Sequence, residues 1–171
     1  MASCATCDRF ILFGGKIVED RRYCSAKCEQ RGEIARTVNS IPADALEQQV
    51  RQVHGGMCPK CAGSGPVDVH TSYRALSAIV ITRWSNHPIV SCNRCGARAQ
   101  LRDLCISLAF GWWGVPWGLF ITPVQIGKNI RALVQKPDPA QPSKALYRVI
   151  GSAMAGQMLA ARSMSAAGGD V

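Results

Sequence analysis

Acidic residues are scarce in this chain: 11 Asp and Glu stand against 20 Lys and Arg over 171 residues, for a formal net charge of +9. Aromatic residues make up only 6%. No basic run exceeds Arg21-Arg22, so the positive excess forms no stripe of the kind that tracks a nucleic-acid backbone. The usual catalytic signatures are missing as well. The absence of G-x-x-x-x-G-K-[ST], G-x-S-x-G, H-E-x-x-H and G-x-G-x-x-G removes the sequence grounds for a P-loop enzyme, a serine hydrolase, a zinc protease or a dinucleotide enzyme. Met1 to Phe10 lacks a basic start followed by a long apolar stretch, so no secretory signal is expected. Paired cysteines in a reducing cytosol read as metal ligands rather than disulfides.

Cysteine is what the chain does have, and the N-terminal segments carrying it are short, polar and rich in glycine. Segments of that kind bury too little apolar surface to fold without a staple. Cys4-Ala-Thr-Cys7 is a C-x2-C pair, and sixteen residues later comes Cys24-Ser-Ala-Lys-Cys28. The i, i+4 spacing places both later sulfurs on one face of a helix opening at Cys24, whose N-terminus favours thiolate. Phe10 to Phe13 and Lys16 to Val18 read as two short strands around Gly14-Gly15. Knuckle, hairpin and helix together make a treble clef over residues 1–34.

Cys58-Pro-Lys-Cys61 and Cys92-Asn-Arg-Cys95 are two further C-x2-C pairs, thirty residues apart. Gly96 reads as a left-handed residue closing the last turn. Val67, Val69 and Thr71 alternate with Asp68, His70 and Ser72. Ile79 to Ile81 reads as strand, and Ser85 to Pro88 as a turn before Ile89-Val90. The expectation is a zinc ribbon over 57–100, a three-stranded sheet capped by two knuckles. Two structural Zn2+ ions are expected in all, one per four-cysteine set. Each set would carry two net negative charges, lowering the formal +9 to about +5.

Between the modules, residues 35–56 hold a linker helix with Leu46, Val50 and Val53 as its apolar stripe. Leu104 to Gly127 runs twenty-four residues without a charge. Glycines and Pro116 break it, so it reads as a helical hairpin over 101–136, with helices from about Ala97 to Phe110 and from Pro116 to Gln135. Each half spans about 15 Å of apolar helix, roughly half a bilayer core. Basic residues flank both ends, which fits a re-entrant or interfacial placement with Trp112, Trp113, Trp117, Leu119 and Phe120 as the membrane contact. The same segment also fits a helical hairpin buried on the ribbon, or a dimer interface. Cys105 reads as a small hydrophobe. In 137–171 a proline linker leads to Ser143, which caps an amphipathic helix carrying Leu146, Val149, Ile150, Ala153, Met154, Met158 and Ala161 on one face. With Lys144, Arg148 and Arg162 as its charges, this helix suits an anionic surface, a partner protein or packing on its own chain. Residues 165–171 read as disordered.

Tyr23-Cys24-Ser-Ala-Lys-Cys28 resembles the signature of MYM/TRASH-type fingers and of the small bacterial zinc protein that inhibits DNA gyrase. More broadly the chain resembles a bacterial family of zinc-ribbon proteins. The shared residues are Ile11 to Gly15, the strand Gly65 to Tyr73, and Gly111-Trp-Trp-Gly-Val-Pro-Trp-Gly118 leading into Thr122-Pro-Val-Gln125. That resemblance implies architecture and no activity.

Three functions follow from these readings. The first is a non-enzymatic zinc adaptor on the cytoplasmic face of a membrane, presenting a surface to a protein partner. The second is a cytoplasmic nucleic-acid binder using Arg74, Arg83, Trp84 and His87 on the ribbon. The third is an enzyme built on Asp68 and His70, which share a strand face with Ser72.

Overall fold

The computed structural model describes residues 2–78, 81–110 and 117–167. The chain is α+β and divides into two compact units, Met1–Leu46 with Arg148–Val171, and Glu47–Tyr147.

The first unit opens with β1 (Ala2–Ser3), which pairs with β2 (Phe10–Ile11) around the first cysteine pair. The hairpin of this unit lies one element later than expected. β3 (Lys16–Val18) pairs with β4 (Arg21–Tyr23), not with the Phe10 segment. Its two-residue turn is Glu19-Asp20, both at positive φ. That backbone twist matches the twist of paired strands, so the turn forms despite lacking glycine. Tyr23 ends β4 and is buried. It packs against Gly32 of α1 (Ala26–Asn39), where an added Cβ would come within 2.9 Å of the ring. α2 (Ala43–His54) follows within the expected 35–56 linker; its residues from Glu47 on, the buried Val50 among them, belong to the second unit.

The second unit is built on β5 (Val67–Ala78) and β6 (Ile81–Cys92), paired antiparallel from Val67↔Cys92 to Ala78↔Ile81. Two long strands replace the expected three. Ser85 to Pro88 is not a turn but the middle of β6. Pro88 is tolerated because its partner Thr71 directs its carbonyl away from β6, toward Gln100 Nε2 at 3.2 Å. Thr71↔Pro88 is therefore a pair that needs no N–H from the proline. Ile79 and Val80 lie outside the described residues.

α3 (Asn93–Phe110) and α4 (Trp117–Val134) both pack on β5. The two expected helices are therefore present, and the face they turn inward is polar. Gln100, Asp103 and Ser107 of α3 are buried, as are Thr122, Gln125 and Asn129 of α4, each set at i, i+3, i+7. Three of them, Gln100, Ser107 and Asn129, bond to backbone groups on the free edge of β5. Tyr73 N–H donates to Asn129 Oδ1 at 2.9 Å, Asn129 Nδ2 donates to the Tyr73 carbonyl, and Ala75 N–H donates to Ser107 Oγ at 3.0 Å. Outward stand Leu101, Leu108 and Phe110 of α3, and Phe120, Val124, Ile130 and Val134 of α4. Among the described residues, no helix is long and apolar enough to cross a membrane.

α5 (Lys144–Ala167) starts at Ser143, as expected, with Leu146 N–H donating to Ser143 Oγ at 3.2 Å. It continues through Ala167, so Ser165 to Ala167 are helical rather than disordered.

Candidate metal centres

Both C-x2-C knuckles fold the same way. In the first, Asp8 N–H donates to the Cys4 carbonyl at 3.0 Å and Cys4 N–H to the Arg9 carbonyl at 2.9 Å. In the second, Ala62 N–H donates to the Cys58 carbonyl at 2.8 Å and Cys58 N–H to the Gly63 carbonyl at 3.0 Å. The residue after the second cysteine is left-handed in each, Asp8 and Ala62 both having φ 54°. The flanking bridges correspond as well, Ser3↔Phe10 in one and Met57↔Ser64 in the other.

The second pair of each set comes from a strand–helix junction. Cys24 follows β4 and precedes the N-cap Ser25, whose side chain accepts from Cys28 N–H, so Cys28 sits in the first turn of α1. Cys92 is the last residue of β6, and Cys95 lies in the first turn of α3. The second module thus repeats the knuckle–hairpin–helix order of the first. It is not a ribbon with two knuckles. The helix N-terminus supplies two ligands in both, where partial positive charge stabilises thiolate.

The sulfurs converge. Cys4, Cys7, Cys24 and Cys28 form one group and Cys58, Cys61, Cys92 and Cys95 another, the Sγ atoms of each lying within 4.8 Å of one another. Individual separations are 3.7 Å for Cys7–Cys24, 3.5 Å for Cys24–Cys28 and 3.8 Å for Cys61–Cys92. A tetrahedron with metal–sulfur bonds of about 2.3 Å has edges of about 3.8 Å, so each group can hold one metal ion. Backbone amides support the most deeply buried sulfur of each set, Cys4 and Cys58. Cys24 N–H donates to Cys4 Sγ at 3.4 Å, while Cys92 N–H at 3.3 Å and Lys60 N–H at 3.5 Å donate to Cys58 Sγ.

The electrostatics point the same way. The amides of Cys24, Thr6 and Cys7 outweigh burial and lower Cys4 to about 6. Burial opposes ionisation of Cys58, but the amides of Cys92, Lys60 and Cys61 outweigh it and bring this thiol also to about 6. One other sulfur of each set resists ionisation. Cys24 is pushed up to about 12 by Cys28, Cys7 and Cys4, and Cys95 to about 12 by Cys61, burial and Cys92. One thiolate per set forms readily, and four together require a cation to offset their repulsion.

The other candidate residues divide. Asp68 hydrogen-bonds to Ser143 rather than to His70. Asp68 is buried and accepts from Ser143 N–H at 2.9 Å and Ser143 Oγ at 2.5 Å, tying β5 to the start of α5. His70 is buried against Gly96, where an added Cβ would lie 2.2 Å from the imidazole. Gly96 is therefore required by a close approach inside α3, not by the left-handed turn expected of it. Burial holds His70 below the usual imidazole range, partly opposed by Asp68 and the Ser91 backbone, and its Nε2 has no partner among the described residues. Ser72 donates instead to Asp103 at 2.6 Å.

Of the nucleic-acid set, Arg74 is held by Asp103 at 2.6 Å, His87 is exposed beside Ser85, and Arg83 is exposed. Nothing is described of the Trp84 side chain. Arg74 and His87 line one cleft, and Arg83 does not line it. Of the membrane set, Trp112 and Trp113 lie outside the described residues, as do the side chains of Trp117 and Leu119; Phe120 is 67% exposed. The polar inner face of α3 and α4 was not anticipated, although polar residues at i, i+3, i+7 inside an apolar segment are a visible signal.

No family model, curated protein or solved structure matches the chain. The resemblances drawn from its motifs are supported only as far as the two clusters of four cysteines, each of which could hold a metal ion.

Proposed function

We propose that this chain is a non-enzymatic scaffold with two structural zinc ions, resting on a membrane through the outer faces of α3 and α4 and presenting its remaining surface to a protein partner. Zinc is the metal because a closed tetrahedral set of four thiolates suits an ion without redox chemistry or an open position. The observation behind the membrane contact is the reversed polarity of the helix pair. Water favours burial of apolar faces, and a polar inner face gives helices little hydrophobic reason to dock. A low-dielectric surrounding favours the arrangement seen here, with apolar side chains outward and the free edge of β5 satisfied inward by Asn129, Ser107 and Gln100.

The test is fractionation of cells expressing the intact protein, with high-salt and alkaline washes of the membranes. The wild type is expected to stay with the membrane until detergent is added. Phe120→Glu with Val124→Glu, a change on the exposed face, is expected to move the protein to the supernatant with its zinc content unchanged. Wild-type protein released by the washes overturns the reading, and retention of nucleic acid by that released protein would put the second function in its place.

A further inference from the structure

Within the second unit a cleft of about 430 Å³ opens between the β5–β6 hairpin and α3. Its polar wall is almost entirely cationic: Lys60, Arg74, Arg98 and Arg102, with His87 at the side. One carboxylate faces them. Asp103 is fully buried, takes Arg74 at 2.6 Å and stands 3.5 Å from Arg102. Burial would raise Asp103, but Ser72 and the two guanidiniums outweigh it and keep the group ionised. Lys60 and Arg98 have no acidic partner among the described residues. Even after the two negative charges of the adjacent zinc centre, which Cys95 brings to the edge of the cleft, the balance stays positive. Volume and lining suit a small anionic group held by forked guanidiniums.

What lies beyond the cleft selects the anion. Arg98 and Arg102 sit at i, i+4 on α3, and the same helical face continues into exposed Leu101, Cys105 and Leu108. A soluble phosphate compound would use only the basic end. An amphiphile would use both, its phosphate among the arginines and its chains along the apolar stripe. We infer that this cleft binds the phosphate of an anionic phospholipid headgroup, an inference that rests on the membrane contact proposed above.

The test is co-sedimentation of the purified, zinc-loaded full chain with vesicles of phosphatidylcholine alone and of phosphatidylcholine mixed with phosphatidylglycerol. Wild type is expected to bind both, and the anionic vesicles more tightly. Arg98→Gln with Arg102→Gln is expected to weaken anionic binding roughly 25-fold, about fivefold per charge, and to leave neutral binding and zinc content unchanged. Lys27→Gln with Arg31→Gln, removing two exposed charges from α1, controls for net charge. Equal losses in both double variants, or no anionic preference in wild type, overturn the headgroup site while neutral binding still upholds the membrane contact. Absence of binding to either vesicle overturns the membrane contact itself. Binding of free glycerol 3-phosphate without any headgroup preference on vesicles overturns the lipid assignment in favour of a soluble phosphate.

Discussion

Gly96 and His70 show how much of the second metal module depends on a single missing atom. The imidazole lies where a Cβ of residue 96 would be, 2.2 Å from its nearest ring atom, one residue beyond the ligand Cys95. The obstacle is a buried ring on β5, and the first turn of α3 carries the ligand Cys95, so the helix cannot yield without moving a sulfur. Gly96→Ala is therefore expected to cost about 1–3 kcal/mol or more, the range for overpacking a filled interior. It should also loosen the second metal while sparing the first. Denaturant titration and metal analysis check this, and a variant with unchanged stability and two full metals would remove the steric account. The double variant Gly96→Ala with His70→Ala should recover part of the loss, since the obstacle leaves with the imidazole.

At the scale of elements, the inward polar face of α4 does a sheet's work. Asn129 gives β5 the donor and acceptor that a third strand would have supplied at Tyr73. Asn129→Leu would leave the part-buried Tyr73 N–H and carbonyl without this partner, and is expected to destabilise the second unit by about 1–3 kcal/mol despite being more apolar. Thermal or chemical unfolding of the variant checks the sign, and an Asn129→Leu protein more stable than wild type would show that the helix docks for hydrophobic reasons after all. This same element explains what the sequence made legible. Cysteine spacing alone carried both ligand sets, because a metal needs four sulfurs within one bond length whatever the fold around them. Helix bounds near Ala97–Phe110 and Pro116–Gln135 were also readable, from glycine and proline punctuation. The number of strands was not. Ser85 to Pro88 has turn composition, and only the side-chain bond from Gln100 to Thr71 reveals why a proline sits inside a strand there. Nor does a one-dimensional pattern say which face of an apolar helix is inward when the inward face is the polar one.

For the whole molecule, the two metal centres lie in different compact units, the first in Met1–Leu46 and the second in Glu47–Tyr147. Each rests on its own knuckle, hairpin and helix, so each should load and empty on its own. Purified protein is expected to carry about two equivalents of zinc, with Cys24→Ser and Cys92→Ser each removing about one and leaving the other centre filled. Acid should empty both over a similar range. Each metal-free set has one thiol lowered to about 6, Cys4 or Cys58, and a partner raised to about 12, Cys24 or Cys95. Zinc binding at neutral pH must therefore displace protons from the resisting thiols, and affinity must fall as pH falls. Below about pH 6 Cys4 and Cys58 become protonated as well, and proton competition steepens there. Metal analysis after dialysis across this range, with proton release followed during refilling, checks the scheme. Loss of both metals from a single cysteine variant would show that the two modules fold as one cooperative body, and a bound metal indifferent to acid would remove thiolate ligation itself.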